Sequence, residues 1–290
     1  MNAARETPFE SLSAAIAAIA QGVAGRAVAI DQGCRTASGF VWRPGLVVAA
    51  AETFGGEEAS VRTSSRDWTA ARLVGRDEAT DVALFKADGS EAAAIQWAPV
   101  PPVGAMALCV GADGEGGQLA ALGIVSRRGG PWLSLRGGEI DARVELDLRL
   151  PARAEGGVAL DASGRPFGMV VYGPRFRALV IPGATIDRVA GELQARGGVG
   201  RGHLGIGLQP VATSDGAPAA MAMSVDKDGP AAAAGLAQGD VIIAFDGSPV
   251  ERLSDILDAL GPGSVGRKVR VDYLRGGERR ETTITIGERP

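Results

Sequence analysis

Few residues in this chain have the type and setting to do chemistry, and most of them are carboxylates. The stretch Arg153-Ala154-Glu155-Gly156-Gly157 sets a glutamate between an arginine and a glycine pair. It runs into Val158-Ala159-Leu160, a turn at Ser163-Gly164, and Phe167-Gly168-Met169-Val170-Val171, which reads as strand, turn and strand. Glu52 follows the apolar run Leu46-Val47-Val48-Ala49-Ala50-Ala51, and Asp81 opens the run Val82-Ala83-Leu84-Phe85. The chain has one histidine, His203. Its lysines, Lys86, Lys227 and Lys268, neighbour no serine in a recognisable loop, so a Ser-Lys pair has no support either.

These residues must be positioned by a chain of 290 residues, a length that suggests about two domains. With 46% hydrophobic and 22% charged residues there is ample material for cores. A net charge of -4 gives no electrostatic case for nucleic acid or an anionic membrane. Cys34 and Cys109 show no metal spacing and form no disulfide framework, so both read as buried thiols. No cofactor is expected. No apolar run is long enough to span a bilayer, and the start lacks a basic segment followed by an unbroken apolar core. The expectation is a cytoplasmic chain, or a periplasmic one if a leader has been removed.

Leu12, Ile16 and Ile19 fit a short amphipathic helix over 11–22, leading to a strand over 27–30. Ser38-Gly39-Phe40-Val41-Trp42 pairs with 46–50 across Arg43-Pro44-Gly45. Short strands separated by Gly, Pro and Asp dominate up to about residue 182, as an all-β double barrel requires. Ile186, Val189, Ala190 and Leu193 have helical spacing, and Gly197-Gly198-Val199-Gly200-Arg201-Gly202 then breaks the helix. The organisation expected is an N-terminal segment over 1–26, a barrel domain over 27–196 and a C-terminal domain over 197–290. His203 lies beyond the barrel, so a Ser-His or Cys-His mechanism inside the barrel is unavailable.

The stretch from Arg153 to Val171 resembles the nucleophile loop of trypsin-like proteases of the HtrA (Deg) family, which reads Gly-Asn-Ser-Gly-Gly-Pro-Leu and continues into the same hairpin. The resemblance puts Glu155 at the serine, Arg153 at the oxyanion-loop glycine and Glu52 at the histidine of the family's Thr-x-x-His-Val-Val. Thr80-Asp81-Val82-Ala83-Leu84-Phe85-Lys86 is similar to the family's Thr-Asp-Leu-Ala-Val-Leu-Lys, so Asp81 keeps the aspartate that orients the histidine. A carboxylate at Glu155 puts negative charge where an oxyanion must develop. The expectation is therefore no enzyme but a pseudoprotease serving as scaffold, adaptor or regulatory subunit. The alternative is a hydrolase with an unconventional site. Glu52, Asp81 and Glu155 should converge, repel, and bind a proton, meet Arg153 or hold a hard cation, which makes a cation-binding regulatory protein a further reading. In the family the segment before the first barrel often makes trimer contacts, so a homo-oligomer or a complex with another protein is implied.

The last ninety residues resemble a PDZ domain of the HtrA type, an α+β fold. Arg201-Gly202-His203-Leu204-Gly205-Ile206 is similar to the family's Arg-Gly-Tyr-Leu-Gly-Val, and Gly229-Pro230-Ala231 through Gly235-Leu236 and Gly239-Asp240 to its Ser-Pro-Ala-x-x-Ala-Gly-Leu-x-x-Gly-Asp. The implied activity is capture of peptide or protein C-termini by β-augmentation, at Arg201, His203, Leu204, Gly205, Ile206, Gly207 and Leu208. The opposite wall is expected on a helix over 251–260, where Leu253, Ile256, Leu257 and Leu260 divide between core and groove in a way the sequence leaves open.

Overall fold

The computed structural model describes residues 7–33, 35–63, 67–134, 136–173, 175, 177–200, 202–261 and 264–288. The chain divides into two compact units, Met1–Val199 and Gly200–Pro290.

The first unit opens with helix α1, Pro8–Gly22, three residues longer at its start than the apolar spacing predicts. The extra turn comes from capping: Thr7 Oγ1 accepts from Glu10 N at 3.3 Å, and Thr7 N donates to Glu10 Oε2 at 2.7 Å. Strands β1 (Ala27–Asp31), β2 (Thr36–Arg43), β3 (Leu46–Ala49), β4 (Glu58–Thr63), β5 (Thr69–Asp77) and β6 (Val82–Ala87) close into a barrel in the order β1-β2-β3-β6-β5-β4. A second barrel uses β7 (Met106–Ala112), β8 (Gln118–Gly129), β11 (Arg143–Asp147), β12 (Val158–Asp161), β13 (Pro166–Tyr172) and β14 (Ala178–Pro182), with a two-stranded hairpin of β9 (Trp132–Leu133) and β10 (Glu139–Ile140) between β8 and β11. Every barrel pairing is antiparallel, and the strands alternate with Gly, Pro and Asp turns as the sequence pattern requires.

Each barrel has its own core, and a third cluster joins them. Phe40, Trp42, Leu84, Leu160 and Met169 are buried there against Ile186, Val189 and Leu193 of helix α2, Gly183–Arg196. Each such side chain contributes roughly 1.5–3 kcal/mol. Polar bonds add direction: Trp42 Nε1 and Trp97 Nε1 both donate to Asp187 Oδ1, at 2.6 and 3.0 Å. Gly197 ends α2 in the left-handed region (φ 75°), as a C-terminal glycine does.

The second unit contains β15 (Gly202–His203), β16 (Ile206–Ala212), β17 (Pro218–Val225), helix α3 (Pro230–Ala233), β18 (Val241–Phe245), β19 (Ser248–Pro249), helix α4 (Leu253–Ala259), β20 (Lys268–Arg275), β21 (Glu278–Thr285) and β22 (Gly287–Glu288). Its main sheet runs β16-β17-β18-β20-β21. Leu236, Ile242, Phe245, Ile256, Val269, Val271 and Ile284 form its core.

Candidate functional site

Asp81 reaches its place through a turn that the sequence builds locally. The side chain of Asp77, at the end of β5, accepts from Thr80 N at 3.2 Å and Thr80 Oγ1 at 2.7 Å, folding residues 78–81 back into β6. Asp81 then takes a left-handed conformation (φ 58°), which a short polar side chain tolerates. Its Oδ1 accepts from Glu52 N at 2.8 Å, and its carbonyl accepts from Ala51 N at 3.3 Å. Glu52 sits on the 3-10 turn Ala51–Thr53 that leaves β3. Burial, then the charges of Glu52 and Glu155, push the Asp81 carboxyl up to about 7, against the Glu52 and Ala51 N–H groups, which lower it.

Glu155 follows a second 3-10 turn, Ala152–Ala154, and the first barrel holds this loop through Ser38. Ser38 Oγ donates to Arg153 O at 2.6 Å, and Ser38 N donates to Glu155 O at 3.0 Å. Gly156 is required by this approach: it has φ 82°, and a Cβ there would lie 2.2 Å from Ser38 O. The Glu155 carboxylate accepts from Tyr172 N and Thr53 Oγ1, each at 3.3 Å. Arg153 points elsewhere, donating to Asp113 O at 3.1 Å and lying 3.5 Å from Glu115. The cation that meets one of the three carboxylates is Arg136, 3.5 Å from Glu52 and 3.1 Å from Glu78. The expected Arg153 pairing is thus replaced by one the sequence did not suggest, because the β9–β10 hairpin lies against the Asp81 turn: Ser134 Oγ donates to Ala79 O at 2.5 Å, and a Cβ on Gly138 would lie 2.2 Å from the same oxygen.

Glu52, Asp81, Trp132, Arg136, Tyr172 and Arg175 line a cavity of about 560 Å³, with Ile140, Val171, Leu179 and Ile181 as its apolar wall. A larger hollow of about 770 Å³ on the first barrel, lined by Asp31, Glu58, Arg72 and Lys86 among others, contains none of the three carboxylates. Among the described residues no three His, Cys, Asp or Glu side chains are arranged to hold a metal ion. A carboxyl titrating near neutrality can both accept and donate a proton at pH 7, which is the chemistry the cavity offers. Trp132, Arg136 and Arg175 carry no motif, and only their placement identifies them.

In the second unit, Gly205 takes φ 67°, and a Cβ there would meet Gly229 Cα at 2.9 Å. The loop is fixed by Ala231 N donating to Leu204 O and Asp226 N to Gly205 O, both at 2.8 Å. Leu204 is core, while Ile206, Gly207 and Leu208 are partly buried at the start of β16, whose one strand neighbour among the described residues is β17. His203 Nε2 is 3.6 Å from Asp226. Arg201 lies outside the described residues, as does Cys34, whereas Cys109 is buried with its thiol pushed up to about 12 by burial. On α4, Ile256 is fully buried and Leu257 is 59% exposed, which settles which of the two faces outward.

Two family profiles match the chain: a trypsin-like peptidase domain over residues 37–169 and a PDZ domain over residues 202–286. The periplasmic serine endoprotease DegP-like of Pseudomonas savastanoi pv. phaseolicola is 30% identical over 270 residues, 87% of this chain and 56% of that one. The chain belongs to the HtrA family. The DegP-like protein of Brucella suis is also 30% identical, over 76% of this chain and 46% of its own length. This HtrA-family chain thus spans about half the length of the curated relatives it matches. Among solved structures, a serine endoprotease from Yersinia pestis superposes with a TM-score of 0.75 at 24% identity, covering 95% of this chain and 98% of that one. The HtrA-type protease AlgW with a decapeptide gives 0.74 at 21%, covering 95% and 99%. The fold is a trypsin-like double barrel followed by a PDZ domain.

Two expectations fall with these comparisons. The reading of a non-enzyme rested on Glu52 and Glu155 at the histidine and serine positions, but the relatives are named serine endoproteases and the structural neighbours proteases. The cytoplasmic reading rested on the residues at the start of the sequence, and the relatives are named periplasmic.

Proposed function

We propose that this HtrA-family chain is a polypeptide hydrolase of the periplasm that captures its clients by their C-termini at the PDZ domain and works in the barrel cleft with a carboxyl group. The observation that carries the hydrolytic part is Asp81, a carboxyl raised to about 7 on the wall of a 560 Å³ cavity. Ionised Asp81 takes a proton from a water molecule as its oxygen adds to the amide carbon, and the carboxyl so formed returns the proton to the leaving nitrogen as the C–N bond breaks. The barrel's own residues supply no histidine for a serine-histidine pair, since the one histidine is His203 in the PDZ domain.

Client capture is supported by β16, paired on one side only among the described residues, beside the Gly205 loop, with Leu257 of α4 presented outward for an apolar last residue. Helix α1 leaves Phe9 83% and Leu12 46% exposed, apolar surface that fits self-association of the chain.

Mass spectrometry of an unfolded protein incubated with the full chain tests the cleft. Cleavage should rise through a limb near pH 7 and vanish in Asp81→Asn. A repurified protein that cleaves nothing between pH 5 and pH 9 would sink the hydrolytic reading while leaving PDZ capture to be judged by peptide binding.

A further inference from the structure

Beside the cleft, the second barrel holds an arginine cluster that the reaction above does not use. Glu145 on β11 is 4% exposed. It accepts from Arg143 Nε at 2.9 Å and Arg177 Nη1 at 3.1 Å, and lies 3.4 Å from Arg127 Nη1. Burial pushes its pKa up, but the bonds from Arg143 and Arg177 outweigh it and hold the carboxyl below its ordinary value, so it is a fixed negative charge. The Arg143 guanidinium is further held 5.0 Å over the Trp132 ring. Arg143, Glu145, Arg175, Arg177 and Leu179 line a hollow of about 120 Å³.

One carboxylate neutralises one guanidinium. Keeping Glu145 buried needs two or three N–H donors, and the bonds already described supply them. Arg175, which shares no hydrogen bond with Glu145, lines the same hollow, so the cluster keeps a surplus of positive charge around a small cavity. Arg175 and Leu179 line the 560 Å³ cleft as well, so the two cavities adjoin. The hollow has room for a carboxylate on a short aliphatic stem.

We infer that this arginine hollow is a specificity subsite for an acidic side chain, Asp or Glu, of the polypeptide held in the adjoining cleft. The inference rests on the cleft's binding polypeptide, though not on its hydrolysing it. The shared Arg175 and Leu179 walls favour a side chain arriving on an extended chain over a free anion, which needs no cleft.

Fluorescence anisotropy tests it on the full chain, with labelled peptides that differ only in one Glu or Gln. All carry a C-terminal amide, so that the PDZ carboxylate loop does not select between them. The Glu peptide should bind about 5-fold tighter or more, the scale of one charge-assisted contact partly open to water. The preference should shrink as salt rises from about 50 to about 300 mM. It should disappear in Arg175→Gln, which breaks no bond to Glu145, and fall in Arg177→Gln. Equal binding of the two peptides overturns the subsite alone, as does a preference that survives Arg175→Gln. If neither peptide binds, the polypeptide-binding cleft fails and takes the subsite with it. Inorganic phosphate that binds at millimolar concentration without displacing the Glu peptide places the acidic contact elsewhere and also overturns the inference.

Discussion

The barrel cleft and the PDZ domain treat buried aspartates in opposite ways. In the PDZ domain, Asp240 is 1% exposed and forms a two-pronged pair with Arg275, Nε to Oδ1 at 2.8 Å and Nη2 to Oδ2 at 2.7 Å, while Ala237 N donates at 2.8 Å. Asp272 accepts from Arg270 at 2.8 Å and Arg279 at 2.9 Å, and these bonds hold it at about 2. In the cleft, Asp81 receives backbone N–H groups but no guanidinium, and two glutamates add to its load, so it sits near 7. A matched arginine makes a carboxylate part of the framework; a buried carboxyl without one keeps an exchangeable proton. That exchangeable proton is why the reaction is proposed in the cleft and not at the PDZ carboxylates.

The contrast is broken most severely by removing one partner of the framework pair. Arg275→Ala leaves Asp240, 1% exposed, without its charge partner and should destabilise the PDZ domain several-fold more than the loss of an exposed pair does. Hydrogen exchange of β18 and β20 in the full chain reads this directly, and protection unchanged from wild type would show the pair to be ornamental. At the ligand edge, Gly205→Val forces a branched residue into φ 67° against Gly229. Binding of a free C-terminal peptide should fall at least about 10-fold, toward the level of its amidated twin, by calorimetry.

The two kinds of aspartate also predict opposite pH responses. Asp81 titrates near 7 folded and near 3.8 unfolded, so between those values the native state holds the extra proton and stability falls as pH rises. Above about pH 7 this loss is complete, and Asp81→Asn should then stabilise the chain by about 1–3 kcal/mol, discounted for partial exposure. Asp272 runs the other way: its contribution is full above about pH 4 and is lost as pH falls toward 2. Chemical denaturation at pH 5 and pH 8 checks the first limb; an Asp81→Asn protein that is not the more stable at pH 8 removes the premise of the proposed acid-base chemistry.

The two regions were also unequally legible. The PDZ domain could be read from sequence because its turns need particular residues: Gly205, Gly235 and Gly239 all have positive φ, and such requirements leave a motif. The barrel strands were visible for the same reason, through alternation and turn glycines. The cleft was half visible. Glu52 and Asp81, which line it, stand out by position in a frame, but Arg136 and Trp132 do not, since they arrive on a hairpin about fifty residues from Asp81 along the chain. Arg153 is one partner the sequence offers to the three carboxylates, whereas a side chain that long follows the loop's direction, here toward Asp113 and Glu115. Charge pairing across a barrel has no sequence period, so only the folded chain reveals it.

The smallest effect sharpens the comparison furthest. Arg136 pairs with Glu52 and Glu78, and its side chain is 52% exposed against 54% and 62% for theirs. Water screens all three charges, so this contact belongs with surface pairs even though Arg136 and Glu52 line the cleft. Arg136→Ala should therefore lower global stability by less than about 1 kcal/mol, several-fold below Arg275→Ala. Its effect should appear instead in the cleft's electrostatics: with the guanidinium gone, Glu52 presses its negative charge on Asp81 with less opposition, and the Asp81 limb moves to higher pH. Carbon NMR of the Asp81 carboxyl in wild type and Arg136→Ala reads the titration, and chemical denaturation of the same two proteins reads the stability. A large loss of stability with an unmoved titration would mean that Arg136 holds the cleft as Arg275 holds the PDZ sheet, and the distinction between framework and working carboxylates would collapse at its boundary.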